Sequence, residues 1–279
     1  MKIVPKFLCL KNKPTIMNTK HQIQFLTILP GKNRDGITEC FSEIRLLPGE
    51  TLSIVGPTGS GKTALINDIE VFAQGDTITG RTIQVNGFPP TDELIRDPSK
   101  KPIAMITQNT KCLADLTVCE FLEMHIKSRK IEKPTVLEET IALANQFTGE
   151  KIHAKTRMSS LSGGQTRSVF IADAVMISNT PIILLDELEN AGIFKEKVIE
   201  ELRKFDKTII FVTHDPYVAL LTDRRIVMKD GAVKCILTPG NKEKEILKQI
   251  SEMDKEISLL RERIRAGEII TQNFKGVSV

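Results

Sequence analysis

No apolar run in this 279-residue sequence is long enough to cross a bilayer. The longest, such as PIILL (181–185), fall far short of a span, so any work at a membrane needs another chain to do the spanning. Charge of one sign is also missing. The 39 basic residues nearly balance 35 acidic ones, the net charge is +4, and no clustered basic face is visible, which argues against nucleic acid as a partner. No cysteine pair has CxxC spacing, so a zinc site or redox motif lacks support. The five cysteines (Cys9, Cys40, Cys112, Cys119, Cys235) are scattered and odd in number; buried free thiols in a reducing cytoplasm are expected. Cys112 and Cys119, seven apart, could share one side of a helix. The first residues, MKIVPKFLCLKNK, hold a short apolar patch broken by Pro5 and Lys6 and offer no cleavage site, so a signal peptide is not expected.

What is present is ordinary for a folded chain with one sizeable core: 41% hydrophobic and 27% charged residues. Short β-like runs open it (KIVPKFLCL, QIQFLTIL), and ITECFSEIRLLPGETLSIVG alternates like sheet before a buried strand at 52–55. GKTALINDIEVFAQG has helical spacing and a closing Gly75; TITGRTIQVNG reads as a hairpin and FPPTDELIRDPSKK as a loop. PIAMIT is a further strand. From about 113 to 158 the pattern is helical and charged. PIILLD and TIIFVTH are apolar, β-branched runs suited to the inside of a parallel sheet, with an amphipathic helix over 195–205 between them. This order argues for an α/β fold with an inserted helical subdomain.

GPTGSGKT (56–63) satisfies the phosphate-loop spacing G-x-x-x-x-G-K-[ST]. The chemistry needs that pattern. Glycines let the backbone curl so that successive amides face inward, and a following helix adds the positive end of its dipole. Lys62 then reaches the β- and γ-phosphates and the Thr63 hydroxyl can ligate Mg²⁺. Asp186 ends a buried run, where its carboxylate would bind Mg²⁺; adjacent Glu187 points elsewhere, toward an attacking water. His214 ends another buried run, within reach of a γ-phosphate, and Gln108 follows PIAMIT, where it could contact the metal and the water. LSGGQ (161–165) again offers a hydroxyl, bare amides and a helix start to an anion. Two phosphate-binding turns suggest that the second serves a partner's nucleotide.

GPTGSGKT, Gln108, LSGGQ, IILLDE and His214 follow the order of the ATP-binding cassette (ABC) ATPases, which the chain resembles over about 35–235. The resemblance implies an α/β, RecA-like P-loop NTPase core with an antiparallel β subdomain and an inserted α-helical subdomain. Its division would be 1–108 for the first part of the core, 109–178 for the helical insert, 179–240 for the rest of the core and 241–279 for a C-terminal helix and tail. It implies nucleotide contacts from Gly56, Pro57, Thr58, Gly59, Ser60, Gly61, Lys62, Thr63 and Ala64, and across a head-to-tail dimer from Ser162, Gly163, Gly164 and Gln165. Glu187 becomes the general base, His214 the switch histidine and Gln108 the sensor, with Thr63, Gln108 and Asp186 at Mg²⁺.

Three departures stand out. LENAGI (188–193) follows the glutamate where the family has Pro-Thr-Ser-Ala-Leu-Asp, so Ile193 replaces an aspartate that couples the two sites. FIADAV puts Asp173 where an arginine is usual. The family often stacks adenine on an aromatic residue upstream of the cradle; GKNRDGITEC has none, the chain lacks tryptophan and its one tyrosine is Tyr217, so an aliphatic contact to adenine is expected.

Beyond the cassette, Ile246, Ile250, Met253, Ile257, Leu260 and Ile264 recur at spacings of 4, 3, 4, 3 and 4, a heptad seam. Either the helix pairs with another, or it lies on its own cassette. The last residues, TQNFKGVSV, read as loose. The function implied is an ATP-binding and ATP-hydrolysing ABC transporter subunit, with ATP and Mg²⁺ as cofactors. It would dimerise with a second copy, power a separate membrane permease, and be cytoplasmic and peripheral at the inner face. The alternative is a soluble ABC ATPase that remodels or activates a partner such as a metalloenzyme, which the atypical LENAGI and FIADAV stretches and the extra helix favour.

Overall fold

The computed structural model describes residues 23–98, 100–107, 109–112, 114–187 and 193–270, without the side chains of Glu262 and Arg265. Buried β-branched runs supply its sheets. A three-stranded antiparallel sheet is ordered β2-β1-β4, from β1 (Leu26–Leu29), β2 (Ile44–Leu46) and β4 (Thr82–Val85). A six-stranded sheet is ordered β5-β6-β7-β3-β8-β9. It contains β3 (Thr51–Val55), β5 (Ile103–Ile106), β6 (Ile182–Asp186), β7 (Thr208–Val212), β8 (Arg224–Lys229) and β9 (Ala232–Leu237). Every pairing in it is parallel except β8 with β9. All five residues of β7 are buried, which is what burial on both faces of a parallel sheet demands.

The helices are α1 (Lys62–Val71), α2 (Asp92–Arg96), α3 (Val118–Ser128), α4 (Val136–Phe147), α5 (Gly163–Met176), α6 (Lys195–Lys204), α7 (Pro216–Leu221) and α8 (Asn241–Arg265). Two apolar clusters form the core. One gathers α3, α4 and α5 with one face of the main sheet, through Phe121, Phe147, Val169 and Leu185. The other joins α1 and the small sheet to the opposite face, through Leu26, Leu65, Ile83 and Ile210.

The structure corrects several local expectations. TITGRTIQVNG is not a hairpin: β4 pairs with β1, some fifty residues upstream, and 77–80 only turns the chain. FPPTDELIRDPSKK contains α2, started by Asp92 and Glu93 at its positive end. The alternating stretch ending at Val55 splits between the two sheets at the turn around Gly49. α1 stops at Phe72, three residues before Gly75; Phe72 is buried and left-handed (φ 55°), so core packing outweighs its backbone cost. The four described cysteines are not fully buried: Cys40 is exposed and Cys112, Cys119 and Cys235 are half-buried. Cys112 precedes α3, so it shares no helix with Cys119. Cys9, KIVPKFLCL and TQNFKGVSV lie outside the described residues.

Candidate nucleotide site

The loop between β3 and α1 has no room for side chains at two of its glycines. A Cβ on Gly56 (φ 151°) would sit 2.4 Å from the Met228 carbonyl oxygen and 2.7 Å from Ser60 Oγ. One on Gly61 (φ 99°) would sit 2.9 Å from Gly231 Cα. The loop is thus pressed against the β8–β9 turn, and Gly231 N–H donates to the Ser60 carbonyl at 3.0 Å. Gly61 gives α1 no side-chain cap, which leaves the first-turn amides to an anion. Lys62 is buried and donates from Nζ to the carbonyls of Gly56 (2.9 Å) and Pro57 (3.1 Å), closing the loop around its own ammonium. Burial lowers the Lys62 pKa, and the charges of Glu187 and Asp186 oppose that shift without cancelling it. Ser60 Oγ is buried without a hydrogen-bond partner, and Pro57, Thr58, Gly59 and Thr63 are exposed around the opening. A bare helix start, a captive lysine and an orphaned hydroxyl suit a bound phosphate chain.

Sheet register carries the acidic groups to this loop. Val212 of β7 pairs with Ile54 of β3 on one side and with Asp186 of β6 on the other. The three strands therefore end flush, and the residues after them share one edge, where open α/β sheets bind ligands. Glu187 N–H donates to the Val212 carbonyl at 2.9 Å, and the residue is left-handed (φ 49°). This is a costly backbone for a non-glycine residue, and such strain concentrates at functional sites. His214 follows β7, with Nε2 4.0 Å from Glu187 Oε1; both side chains are partly exposed. Asp215 fixes the chain after it by accepting from Tyr217 N–H (2.8 Å) and pairing with Lys195. A cavity of about 400 Å³ opens beside this edge, lined by Gly56, Thr213, His214, Pro216, Arg225 and Glu243. Gln108 lies outside the described residues, just beyond β5.

The second glycine turn stands apart. Ser162 caps α5 in a reciprocal box: Gln165 N–H donates to Ser162 Oγ (3.3 Å) and Ser162 N–H to Gln165 Oε1 (2.9 Å). Ser162 and Gly163 are exposed, Gln165 is half-buried and Gly164 is buried. Among the described residues, no hydrogen bond joins this turn to the loop at 56–64.

Three further residues complete the surroundings. Asp173 of α5 is buried and meets His125 Nδ1 of α3 at 2.9 Å through Oδ2. Ile193 is buried too, bridging antiparallel to Thr148, while Phe194 N–H donates to the Phe147 carbonyl at 2.8 Å. LENAG (188–192) lies outside the described residues. Arg34 lies across the rim of the cradle: its guanidinium donates to the Gly59 carbonyl and its Cγ would be 3.0 Å from a Cβ on Gly231. Arg34 lies inside GKNRDGITEC, the stretch that lacks an aromatic residue, and no sequence motif marks it.

Residues 42–190, more than half the chain, match the family model described as ABC transporter. This chain belongs to the ABC transporter family. The cassette is 48% identical over 250 residues to an uncharacterized ABC transporter ATP-binding protein of Methanocaldococcus jannaschii, covering 90% of this chain and 96% of that one. It is 32% identical over 194 residues to a putative 2-aminoethylphosphonate import ATP-binding protein of Salmonella choleraesuis, covering 67% of this chain but only 50% of that longer one. Among solved structures, a dimeric, post-hydrolysis ATP-binding cassette bound to ADP and Pi matches with a TM-score of 0.59 at 25% identity, over 77% of this chain and 99% of that one. A Clostridium perfringens cassette, part of the ABC transporter complex cbiONQ, shares the fold (TM-score 0.59, 24% identity, 85% of this chain and 98% of that one). The RecA-like P-loop fold expected from the motifs is the observed one.

Proposed function

We propose that this cassette binds and hydrolyses ATP and drives a separate membrane permease, working as two copies closed around two nucleotides. Gly56, Pro57, Thr58, Gly59, Ser60, Gly61, Lys62, Thr63 and Ala64 hold the phosphates through amides and the lysine ammonium. Thr63 and Asp186, with Gln108, hold Mg²⁺, which supplies positive charge to the phosphates when bound. Glu187 accepts the proton of the attacking water, and His214 orients that water and the γ-phosphate. Ser162, Gly163, Gly164 and Gln165 reach the nucleotide of the other copy. Among the described residues no helix is long and apolar enough to cross a membrane; in this reading the permease carries the cassette to the bilayer's inner face.

The observation that carries this reading is the convergence of Lys62, Glu187 and His214 at one strand edge, with Glu187 held in a strained backbone. The test is Glu187→Gln protein in Mg-ATP, assayed for turnover and nucleotide binding and used as bait in native membranes and cytosol. Loss of turnover with retained binding, and recovery of a multi-spanning protein in stoichiometric amount, is the expected result. Unchanged turnover would remove Glu187 from its role. A soluble enzyme in place of the permease would transfer the motor to protein remodelling.

A further inference from the structure

α8 runs unbroken for 25 residues and leaves the cassette part-way along. Its first half is anchored. Glu243 pairs with Arg225 of β8 at 2.8 Å, and Ser251 Oγ donates to Glu196 of α6 at 3.2 Å. The Tyr217 hydroxyl of α7 donates to the same Glu196 carboxylate, and Leu247, Ile250 and Asp254 are half-buried on this side. Beyond Asp254, none of the described hydrogen bonds or ion pairs ties the helix back to the cassette.

The heptad seam lies about a quarter-turn round the helix from that anchored face, by the geometry of 3.6 residues per turn. It is largely open to solvent: Met253 is 61% exposed and Ile264 56%, with Ile246 and Ile257 also exposed. The anchored face shares Ile250 with the seam and leaves the seam's Ile246, Met253, Ile257 and Ile264 exposed.

We propose that this seam pairs with α8 of a second copy, as a short parallel two-stranded coil. Along the seam isoleucine stands at a (250, 257, 264); d holds Ile246, Met253 and Leu260, and β-branched a residues with Leu260 at d favour two parallel strands over the C-terminal turns. In that arrangement Glu256, at g, faces Arg261, at the next e position of the other copy, twice by symmetry. Seven basic and six acidic residues make α8 nearly neutral, unlike the basic helices that lie on anionic membranes. Such a coil holds the two cassettes at high effective concentration between rounds of nucleotide binding. The inference builds on the reading that two copies work together, but needs no nucleotide.

The test uses the full-length, nucleotide-free chain. Mild oxidation is expected to cross-link Leu260→Cys into a dimer, while Lys255→Cys, on the outer side of the helix, stays at the background set by the native cysteines. Ile257→Asp is expected to raise the dimer dissociation constant about tenfold or more in sedimentation, with the circular dichroism spectrum and ATP affinity unchanged. Equal cross-linking of the two cysteine variants, an unchanged dissociation constant, or a wild-type chain that stays monomeric and binds anionic vesicles through α8 would each overturn the pairing. Failure of the ATPase reading shows separately, as absent nucleotide binding or turnover, and leaves these results unmoved.

Discussion

Arg81, with no exposed side-chain surface, holds Glu39 by two hydrogen bonds, Nε to Oε2 at 2.8 Å and Nη2 to Oε1 at 2.7 Å. The same guanidinium reaches Asp68 of α1 (3.0 Å) and the Gly231 carbonyl (3.1 Å), so one buried cation joins the small sheet, the helix after the phosphate loop and the β8–β9 turn. Burial pushes the Glu39 pKa up. Arg81, with the amides of Gly31 and Val233, outweighs that and leaves the pKa below its ordinary 4.5. A carboxyl with a depressed folded pKa contributes stability above its unfolded value and loses it as pH falls through the folded one. Glu39→Gln is therefore expected to cost about 3–5 kcal/mol in urea unfolding at pH 7, because it leaves a buried cation short of a partner. The gap to wild type should narrow steadily below pH 4.5; a gap constant with pH would deny the charge its role.

Lys207 behaves in the opposite sense. It is buried at the start of β7 with Asn179 Oδ1 at 2.7 Å, and burial lowers its pKa to about 8, against a smaller opposing effect from Asp206. The unfolded chain binds this proton more readily between about pH 8 and 10.5, so wild-type stability should rise with pH across that window. Lys207→Met removes the rise. Its unfolding free energy is expected to exceed that of wild type most at pH 7 and to converge with it by pH 10.5, as urea titrations at fixed pH would show.

Arg34 offers a flat cation at the rim of the cradle, beside Gly59 and Gly231, and on the proposed ATP reading it stacks on the base. Arg34→Ala is expected to weaken ATP binding by about 2- to 30-fold, the range of a cation–π contact, and to leave tripolyphosphate binding unchanged. Arg34→Tyr should restore the nucleotide affinity. Competition against a fluorescent nucleotide measures all three, and an equal loss for tripolyphosphate would move Arg34 onto the phosphates.

Asp173 and His125 tie α5 to α3, and Asp173 Oδ1 is buried without a hydrogen-bond partner. Asp173→Ala removes the tie, with an expected loss of about 1–3 kcal/mol in unfolding free energy. Hydrogen exchange should then rise in α3 and α5 before it rises in the main sheet. Uniform exchange across the molecule would mean that the pair stabilises the whole cassette instead.

The sequence by itself determined the phosphate loop and the capped LSGGQ turn, because both are local devices. A glycine turn leading into a helix start carries its geometry within eight residues, and Ser162 and Gln165 satisfy each other three positions apart. The buried strands 182–186 and 208–212 were legible for the same reason, as unbroken apolar runs. Tertiary structure alone decided what depends on distant partners. The flush ends of β3, β6 and β7 bring Glu187 to His214, and that register is a property of three strands far apart in the chain. β4 left its apparent hairpin for β1, where Ile83 and Val85 reach the core. Nothing local to TITGRTIQVNG marks Arg81 for burial; only the meeting of Glu39, Asp68 and Gly231 around it makes burial of its charge tolerable.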